Sequence, residues 1–531
     1  MKRLVILSLA IALYLYANAQ SCTYRNPVIP GYHPDPSVCR VGNEFYLVNS
    51  TFQYFPGVPI FKSKDLVHWK QIGNVLTRDS QLSLKDATSW TGIYAPTIRY
   101  HNATWYMITT NVNGRGNFMV TAKKPEGPWS EPIWLEQQGI DPSLFFDQDR
   151  CYMCSNPDDA IYLCEIDPKT GKQLTASKRI WEGTGGRYVE GPHIYFKDGY
   201  YYLLCSEGGT EMAHSLTIAR SKNIYGPYES NPANPILTNC NFKGQYKQIQ
   251  GTGHGDLVRA SDGSWWITFL AYRNFGGAYH HLGRETYLAP VTWEQGQWPV
   301  INNGEAIDTL ITANLLEGAA KPVEKVNIGP EIDLNNPQWL HIQNPIAENY
   351  ENKDGQLKLV GHGTLSENNQ PTFVGIRQTS ENFKVETEIS NLSELKKMGS
   401  YGLTIYQIND GHVDFCINNG FVLLKLKLKS IDTTLDMKEL PEDASKVKLE
   451  IVGNEKNYCF YATVYNAKGE KAMFYELTDK GTETACFESV DCSLLSTEVA
   501  GGFTGVVLGM FSEYEHKDSA ALFNYFKYTE K

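Results

Sequence analysis

The chain has 531 residues, with 48 Lys and Arg against 59 Asp and Glu for a formal net charge of -11. That length exceeds what one hydrophobic core serves and predicts two or three domains. The acidic balance argues against a nucleic-acid partner, whose binding needs clustered cations.

The first element in the chain is an export signal over residues 1–19. Lys2 and Arg3 supply its positive start, Leu4 to Tyr16 its apolar stretch, and Ala17-Asn-Ala19 a small-residue cleavage site. The apolar stretch is too short for a comfortable bilayer span, and no other segment is long enough, so no transmembrane segment is expected. The reading is of an exported protein, periplasmic or secreted. A lipid anchor on Cys22 is the less favoured form, because Asn-Ala-Gln-Ser before it fits a lipoprotein signal poorly. The 11 cysteines are an odd count for an oxidising destination. Cys39, Cys151, Cys154, Cys164, Cys205, Cys416 and Cys459 sit in or beside strand-like runs, and most read as small buried hydrophobes rather than bridges.

From residue 23 to 305 one pattern recurs five times. A leading segment enters an apolar run, an aromatic strand follows, and a third strand closes the unit. The leading segments are His33-Pro-Asp35-Pro-Ser, Tyr94-Ala-Pro-Thr-Ile, Asp141-Pro-Ser-Leu-Phe, Glu190-Gly-Pro-His-Ile and His254-Gly-Asp-Leu-Val. Tyr46, Tyr106, Tyr152, Tyr202 and Trp266 mark the aromatic strands, 60, 46, 50 and 64 residues apart. Repeats of that size with several strands each are the signature of a β-propeller. The repeat superposes Asp35, Asp141 and Glu190 on one position of three blades, at one end of the central channel. Such a set can hydrolyse a glycosidic bond. One carboxylic acid protonates the leaving oxygen, a second carboxylate acts on the opposite face, and a third raises the acid's pKa by repulsion.

Residues 306–330 read as a connector. From 331 to 531 the pattern changes to alternating apolar and polar positions, as in Phe383-Lys-Val-Glu-Thr-Glu-Ile and Lys446-Val-Lys-Leu-Glu-Ile-Val, the mark of strands with one solvated face. This region reads as an antiparallel β-sandwich, and the whole chain as all-β.

The wording of several segments is more specific than the repeat. Asn26-Pro-Val-Ile-Pro-Gly-Tyr-His-Pro-Asp35-Pro-Ser, Ser50-Thr-Phe-Gln-Tyr-Phe-Pro-Gly57, Ser63-Lys-Asp-Leu-Val-His-Trp69, Glu207-Gly-Gly-Thr210 and Leu282-Gly-Arg284-Glu-Thr closely resemble glycoside hydrolase family 43, in its branch of β-xylosidases and α-L-arabinofuranosidases. Pro371-Thr-Phe-Val-Gly-Ile-Arg377 and Tyr401-Gly-Leu-Thr-Ile-Tyr resemble the concanavalin A-like sandwich of that branch. The resemblance implies a five-bladed propeller followed by that sandwich, and exo-acting hydrolysis with inversion on plant cell-wall oligosaccharides or polysaccharides. It implies Asp35 as general base, Glu190 as general acid and Asp141 as the residue that tunes Glu190. Phe52 and Tyr94 would wall the terminal-sugar pocket, with Tyr94 standing where Trp is more usual. Thr210 and Arg284 would reach the sugar hydroxyls, and His254 would lie near the channel axis, where related propellers hold calcium. No organic cofactor is implied. The sandwich is expected to reach the rim of the pocket, through turns such as the one at Tyr350 or that from Met398 to Tyr401.

Two alternatives stand beside this one: an endo-acting arabinanase of the same family, and a non-catalytic carbohydrate-binding propeller.

Overall fold

The computed structural model describes residues 22–240, 248–353, 355–392, 399–474, 487–513 and 520–531. The predicted export signal therefore lies outside the described residues. Among them, no helix is long and apolar enough to cross a membrane.

Five four-stranded antiparallel sheets follow one another in chain order, each a meander, with the short strand Tyr54–Phe55 intervening in the first. Blade I is Ser37–Val41, Glu44–Val48, Gly57–Ser63 and Lys70–Leu76, and blade II is Thr97–His101, Thr104–Asn111, Gly116–Ala122 and Ile133–Trp134. Blade III is Ile140–Asp147, Arg150–Asn156, Ile161–Ile166 and Lys178–Trp181, and blade IV is Glu190–Lys197, Tyr200–Glu207, Ser215–Ser221 and Glu229–Ser230. Blade V is Ile249–Arg259, Trp265–Arg273, Glu285–Thr292 and Val300–Ile301. The first strand of each blade lies against the first strands of both neighbours, and that of blade V meets that of blade I, so the ring closes. The five aromatic markers all fall on second strands, opposite Cys39, Arg99, Phe145, Tyr195 and Val258 of the first strands. Cys151, Cys154, Cys164 and Cys205 are buried among the blade cores.

The seam between blades V and I is fastened by the chain ends of the propeller. Cys22–Arg25 pairs with Leu310–Ala313, while Asn26 exchanges hydrogen bonds with Leu288 of blade V and the Tyr24 hydroxyl donates to the Leu288 carbonyl. Tyr24 and Ile311 also share a core with Val38 and Trp266.

A polar hub fills the channel one layer below its mouth. Asp256 is fully buried and accepts hydrogen bonds from Ser37 of blade I at 2.7 Å, Arg99 of blade II at 2.9 Å and Tyr195 of blade IV at 2.6 Å. Arg99 also donates to His193 Nδ1 at 3.0 Å. Burial alone would raise the Asp256 pKa, but the charges of Arg99 and His193 and the bonds from Arg99 and Tyr195 outweigh it and hold it at about 2. A carboxylate depressed in this way stabilises the fold above the unfolded-chain value of about 3.9. That contribution disappears only as pH falls towards 2. Asp256→Asn leaves Arg99 a buried charge without a counter-ion and should lower the unfolding free energy by about 3 kcal/mol. Urea titration of the two proteins measures it, and coincident curves would mean the hub contributes nothing to stability.

The C-terminal region is a sandwich of two antiparallel sheets. One runs in the order Tyr350–Lys353, Gln356–Val360, Ala520–Glu530, Phe383–Ser390, Ala444–Asn454, Asn457–Asn466 and Lys471–Phe474. The other runs Thr372–Arg377, Val507–Ser512, Tyr401–Ile408, Gly411–Asn418, Phe421–Leu428 and Ile431–Glu439. Alternation such as that of Phe421–Leu428, buried at every second residue, turns the apolar sets inward to a single core.

The two domains share a core of their own. Tyr32, Phe52 and Tyr54 of the propeller pack with Leu340, Ile342, Phe373, Tyr406 and Phe511 of the C-terminal region. His341–Ile342 pairs as a short strand with Tyr54–Phe55. The contact is apolar at its centre with backbone pairing at its edge, the composition of a fixed interface rather than a tethered one.

Candidate active site

The leading segments converge at one mouth of the channel, and their register fixes how. Ile140 pairs with Asn156 and Glu190 with Ser206, each just before a bulge that precedes Ser143 or His193. Glu190 therefore matches Ile140, and the match to Asp141 is Gly191. Backbone angles give the same alignment: Asp35, Asp141, Gly191 and His254 have φ of 52, 50, 60 and 43°. The superposition expected from the sequence is thus off by one residue in blade IV. Left-handed backbone disfavours most side chains but admits Gly and, locally hydrogen-bonded, Asp or His. A Cβ on Gly191 would also sit 3.0 Å from the His254 ring. Glu190 enters the site from the residue before that slot.

The charges around the three acids drive their pKa values apart. Arg284 Nη1 lies 3.2 Å from Asp35 Oδ1, and Ser50 Oγ donates to Asp35 Oδ2 at 2.5 Å. Burial works to raise Asp35, but Arg284, His254 and the Ser50 bond more than offset it and hold its carboxyl below the ordinary range. Glu190 is raised to about 7, by burial first and then by the charge of Asp35. Asp141 is pushed well above its ordinary value by burial, Glu190 and Asp35, against a smaller opposing effect of the Gly191 N–H. His254 Nδ1 stands 3.9 Å from both Asp35 Oδ1 and Asp141 Oδ2. Burial lowers its pKa, which favours the neutral ring. The site thus offers one firmly ionised carboxylate beside a pair that keeps a proton near neutral pH, a division of roles set by environment.

Aromatic rings wall the mouth. Phe52 packs on Tyr94 at 5.2 Å between centroids, and the Tyr94 hydroxyl donates to the Trp90 carbonyl at 2.8 Å. Phe52 itself has φ of 49°, and Gly92 passes so close that a Cβ there would stand 2.2 Å from the Phe52 carbonyl oxygen. Burial and then Asp141 push the Tyr94 phenol up to about 12. Thr210 sits half-buried on the loop after Glu207; among the described residues its hydroxyl has no protein partner. Glu207 anchors that region, accepting bonds from Thr184, Gly186 and Thr217.

One wall residue escaped the sequence reading. Phe503, from the sandwich, packs 5.7 Å from Phe52 and 4.8 Å from Trp90, and its carbonyl accepts a bond from Arg284 Nη2 at 3.1 Å. Phe503 N in turn donates to Ser89 O, and Gly505 lies so close to Leu282 that a Cβ would stand 2.3 Å from its carbonyl oxygen. The turns expected at the rim are placed otherwise. Tyr350 bonds Phe373 within the sandwich, Tyr401 is buried in a sheet, and residues 393–398 lie outside the described set. The glycines flanking Phe503 in Gly501-Gly-Phe-Thr-Gly505 are the sequence signal that marks a close approach.

Calcium takes six to eight oxygen ligands. Among the described residues, no three His, Cys, Asp or Glu side chains gather at metal-binding spacing. Below the mouth the channel already carries the Arg99 guanidinium. A calcium ion beside His254 would therefore draw most of its oxygen ligands from water.

With this geometry in place, two family models match the chain. Residues 24–299 match glycosyl hydrolases family 43, and residues 333–529 match the beta xylosidase C-terminal concanavalin A-like domain. The chain is 38% identical over 527 residues to the non-reducing end alpha-L-arabinofuranosidase BoGH43B of Bacteroides ovatus, covering 96% of this chain and 95% of the relative. It is 38% identical over 526 residues to a xylosidase/arabinosidase of Butyrivibrio fibrisolvens, covering 95% and 98%. Among solved structures, the Bacteroides ovatus xyloglucan PUL GH43B superposes with a TM-score of 0.86 at 36% identity, covering 96% of this chain and all of the other, 100%.

Proposed function

The chain belongs to glycosyl hydrolases family 43, and from that premise we propose that it is an exo-acting, inverting hydrolase that releases terminal L-arabinofuranose or xylose from plant cell-wall glycans. The observation that carries this reading is the opposed tuning of Asp35 and Glu190 across one aromatic-walled mouth. Asp35, kept ionised by Arg284, removes a proton from the attacking water. Glu190, kept protonated by burial and the charge of Asp35, donates to the glycosidic oxygen, and Asp141, buried beside it and raised by it, tunes and orients that acid. Phe52, Tyr94 and Phe503 form the apolar wall for the sugar, and Thr210 and Arg284 face its hydroxyls. The names of the two relatives support arabinofuranose and xylose as the sugars. The export signal supports action outside the cytoplasm, in the periplasm or secreted.

Product analysis tests the reading. Arabino- and xylo-oligosaccharides should yield only monosaccharide from the non-reducing end, and proton NMR should show the inverted anomer first. Internal cleavage products or a retained anomer would refute it.

The pH dependence gives a second check. Activity falls on the acid side as Asp35 takes up a proton, and on the alkaline side as Glu190, coupled to Asp141 through their charges, loses its own. With Glu190 at about 7, kcat/KM should drop about tenfold per pH unit above that value. The acid limb should lie below about 4, since Asp35 is held under the ordinary Asp value. A flat profile from pH 5 to 9 would contradict the assignment.

A further inference from the structure

The sandwich carries a second chemically competent cluster that the glycosidic reaction does not use. His412 and Asp414 stand two residues apart on Gly411–Asn418 and so face one side of the sheet. His412 Nδ1 lies 2.9 Å from Asp414 Oδ1, and His412 Nε2 lies 3.1 Å from Ser366 Oγ. Thr404 Oγ1 donates to the same Asp414 oxygen at 2.8 Å. The imidazole and the carboxylate are buried, whereas Ser366 is half-buried on the turn before Thr372–Arg377.

The order of contacts matters. A carboxylate on Nδ1 fixes the tautomer that leaves the Nε2 lone pair for the serine hydroxyl, the arrangement of nucleophile, base and orienting acid in serine hydrolases. Ser366, His412 and Asp414 line a cavity of about 180 Å³ together with Lys425, Lys427 and Glu513. Lys427 and Lys425 are the direct cross-strand neighbours of His412 and Asp414, so two cations border the cavity, which Glu367, Asp432 and Glu513 also line. The Leu365 N–H donates to Glu513 Oε1 at 3.0 Å, and Gln343 bonds Asn368, which pins the turn bearing Ser366 at both ends.

We propose that Ser366 and His412 form a second catalytic site, with Asp414 as positioning residue, that hydrolyses short-chain carboxylic esters such as acetates. The cavity is smaller than the roughly 300 Å³ of ordinary small-molecule sites, so it admits a short acyl group and leaves the alcohol portion in solvent. Ser366 Oγ attacks the ester carbonyl while its proton passes to His412 Nε2. The carbon–oxygen bond to the alcohol breaks, and the leaving alkoxide takes that proton. Water then adds to the acyl-serine with His412 as base, and the bond to Ser366 Oγ breaks as the serine regains its proton. One water is consumed, one acid and one alcohol leave, and nothing is oxidised or reduced.

The test uses the full-length protein with p-nitrophenyl acetate and, separately, a fluorophosphonate probe read by peptide mass spectrometry. Saturable acetate hydrolysis and an adduct on Ser366 are expected. Ser366→Ala should lose about 10³-fold or more, with cleavage of an aryl arabinofuranoside or xyloside unchanged. The Ser366→Ala/His412→Gln double variant should lose no more than the single one. Asp414→Asn should lower kcat with KM kept, because it disturbs the imidazole rather than acyl binding. Absence of the Ser366 adduct, or hydrolysis undiminished in Ser366→Ala, overturns the proposal. Should Ser366→Ala fail to fold, the probe on the unaltered chain still decides.

Discussion

Glu190→Gln should lower turnover of natural glycans by roughly 10²–10⁴-fold, while cleavage of an aryl glycoside with a good leaving group falls much less. Glu190 makes no side-chain hydrogen bond within the protein among the described residues, so its proton is free for the glycosidic oxygen. An activated leaving group hardly needs that proton. Asp35→Asn should lose a similar factor on both substrates, because every substrate needs the water deprotonated. The same change also removes the counter-ion of Arg284, which stands 3.2 Å away, so it should bind sugar differently as well. Measuring kcat on a natural oligosaccharide and a dinitrophenyl glycoside separates the two roles. Equal losses for both variants on both substrates would remove the distinction between acid and base.

Ending the chain after Ile328 should abolish activity and leave a poorly soluble propeller. Such a protein would expose Tyr32, Phe52 and Tyr54, each now 3% exposed or less. Burying one aromatic or aliphatic side chain of this size is worth roughly 1.5–3 kcal/mol, and the shared core contains several. Arg284 would lose the Phe503 carbonyl, and the mouth would lose the ring facing Phe52 and Trp90. Phe503→Ala separates these effects: the fold should stay, since one rim ring is missing, but KM for terminal sugars should rise. Full activity and the same product profile in the truncated chain would make the sandwich an accessory module.

Much of the fold was readable because the repeat carries its own register. A propeller strand pairs with its sequence neighbour, so an aromatic residue at the same place in each second strand reports a local contact. The acids were readable because the segments bearing them are short and continuous. Blade IV was misaligned by one residue because Glu190 was set against Asp141 as acid against acid, whereas the two blades share one bulge and Gly191-Pro192 stands where Asp141-Pro142 does. Phe503 was missed for a different reason, since it bonds Arg284 across 219 residues of sequence. Asp256 went unremarked within His254-Gly-Asp, since its importance arises only where four blades meet.

The left-handed turn shared by Asp35, Asp141, Gly191 and His254 bears on how this mouth can be mutated. Alanine carries a Cβ without the short polar group that eases such a backbone, at a cost of about 1–2 kcal/mol. Alanine scanning at Asp35, Asp141 or His254 would therefore mix lost chemistry with a shifted main chain, and overstate each residue's share of the rate. Asparagine keeps the backbone preference and deletes only the charge. At these positions the informative alphabet is Asp, Asn, His and Gly, whereas Glu190, one step outside the turn, can be replaced freely.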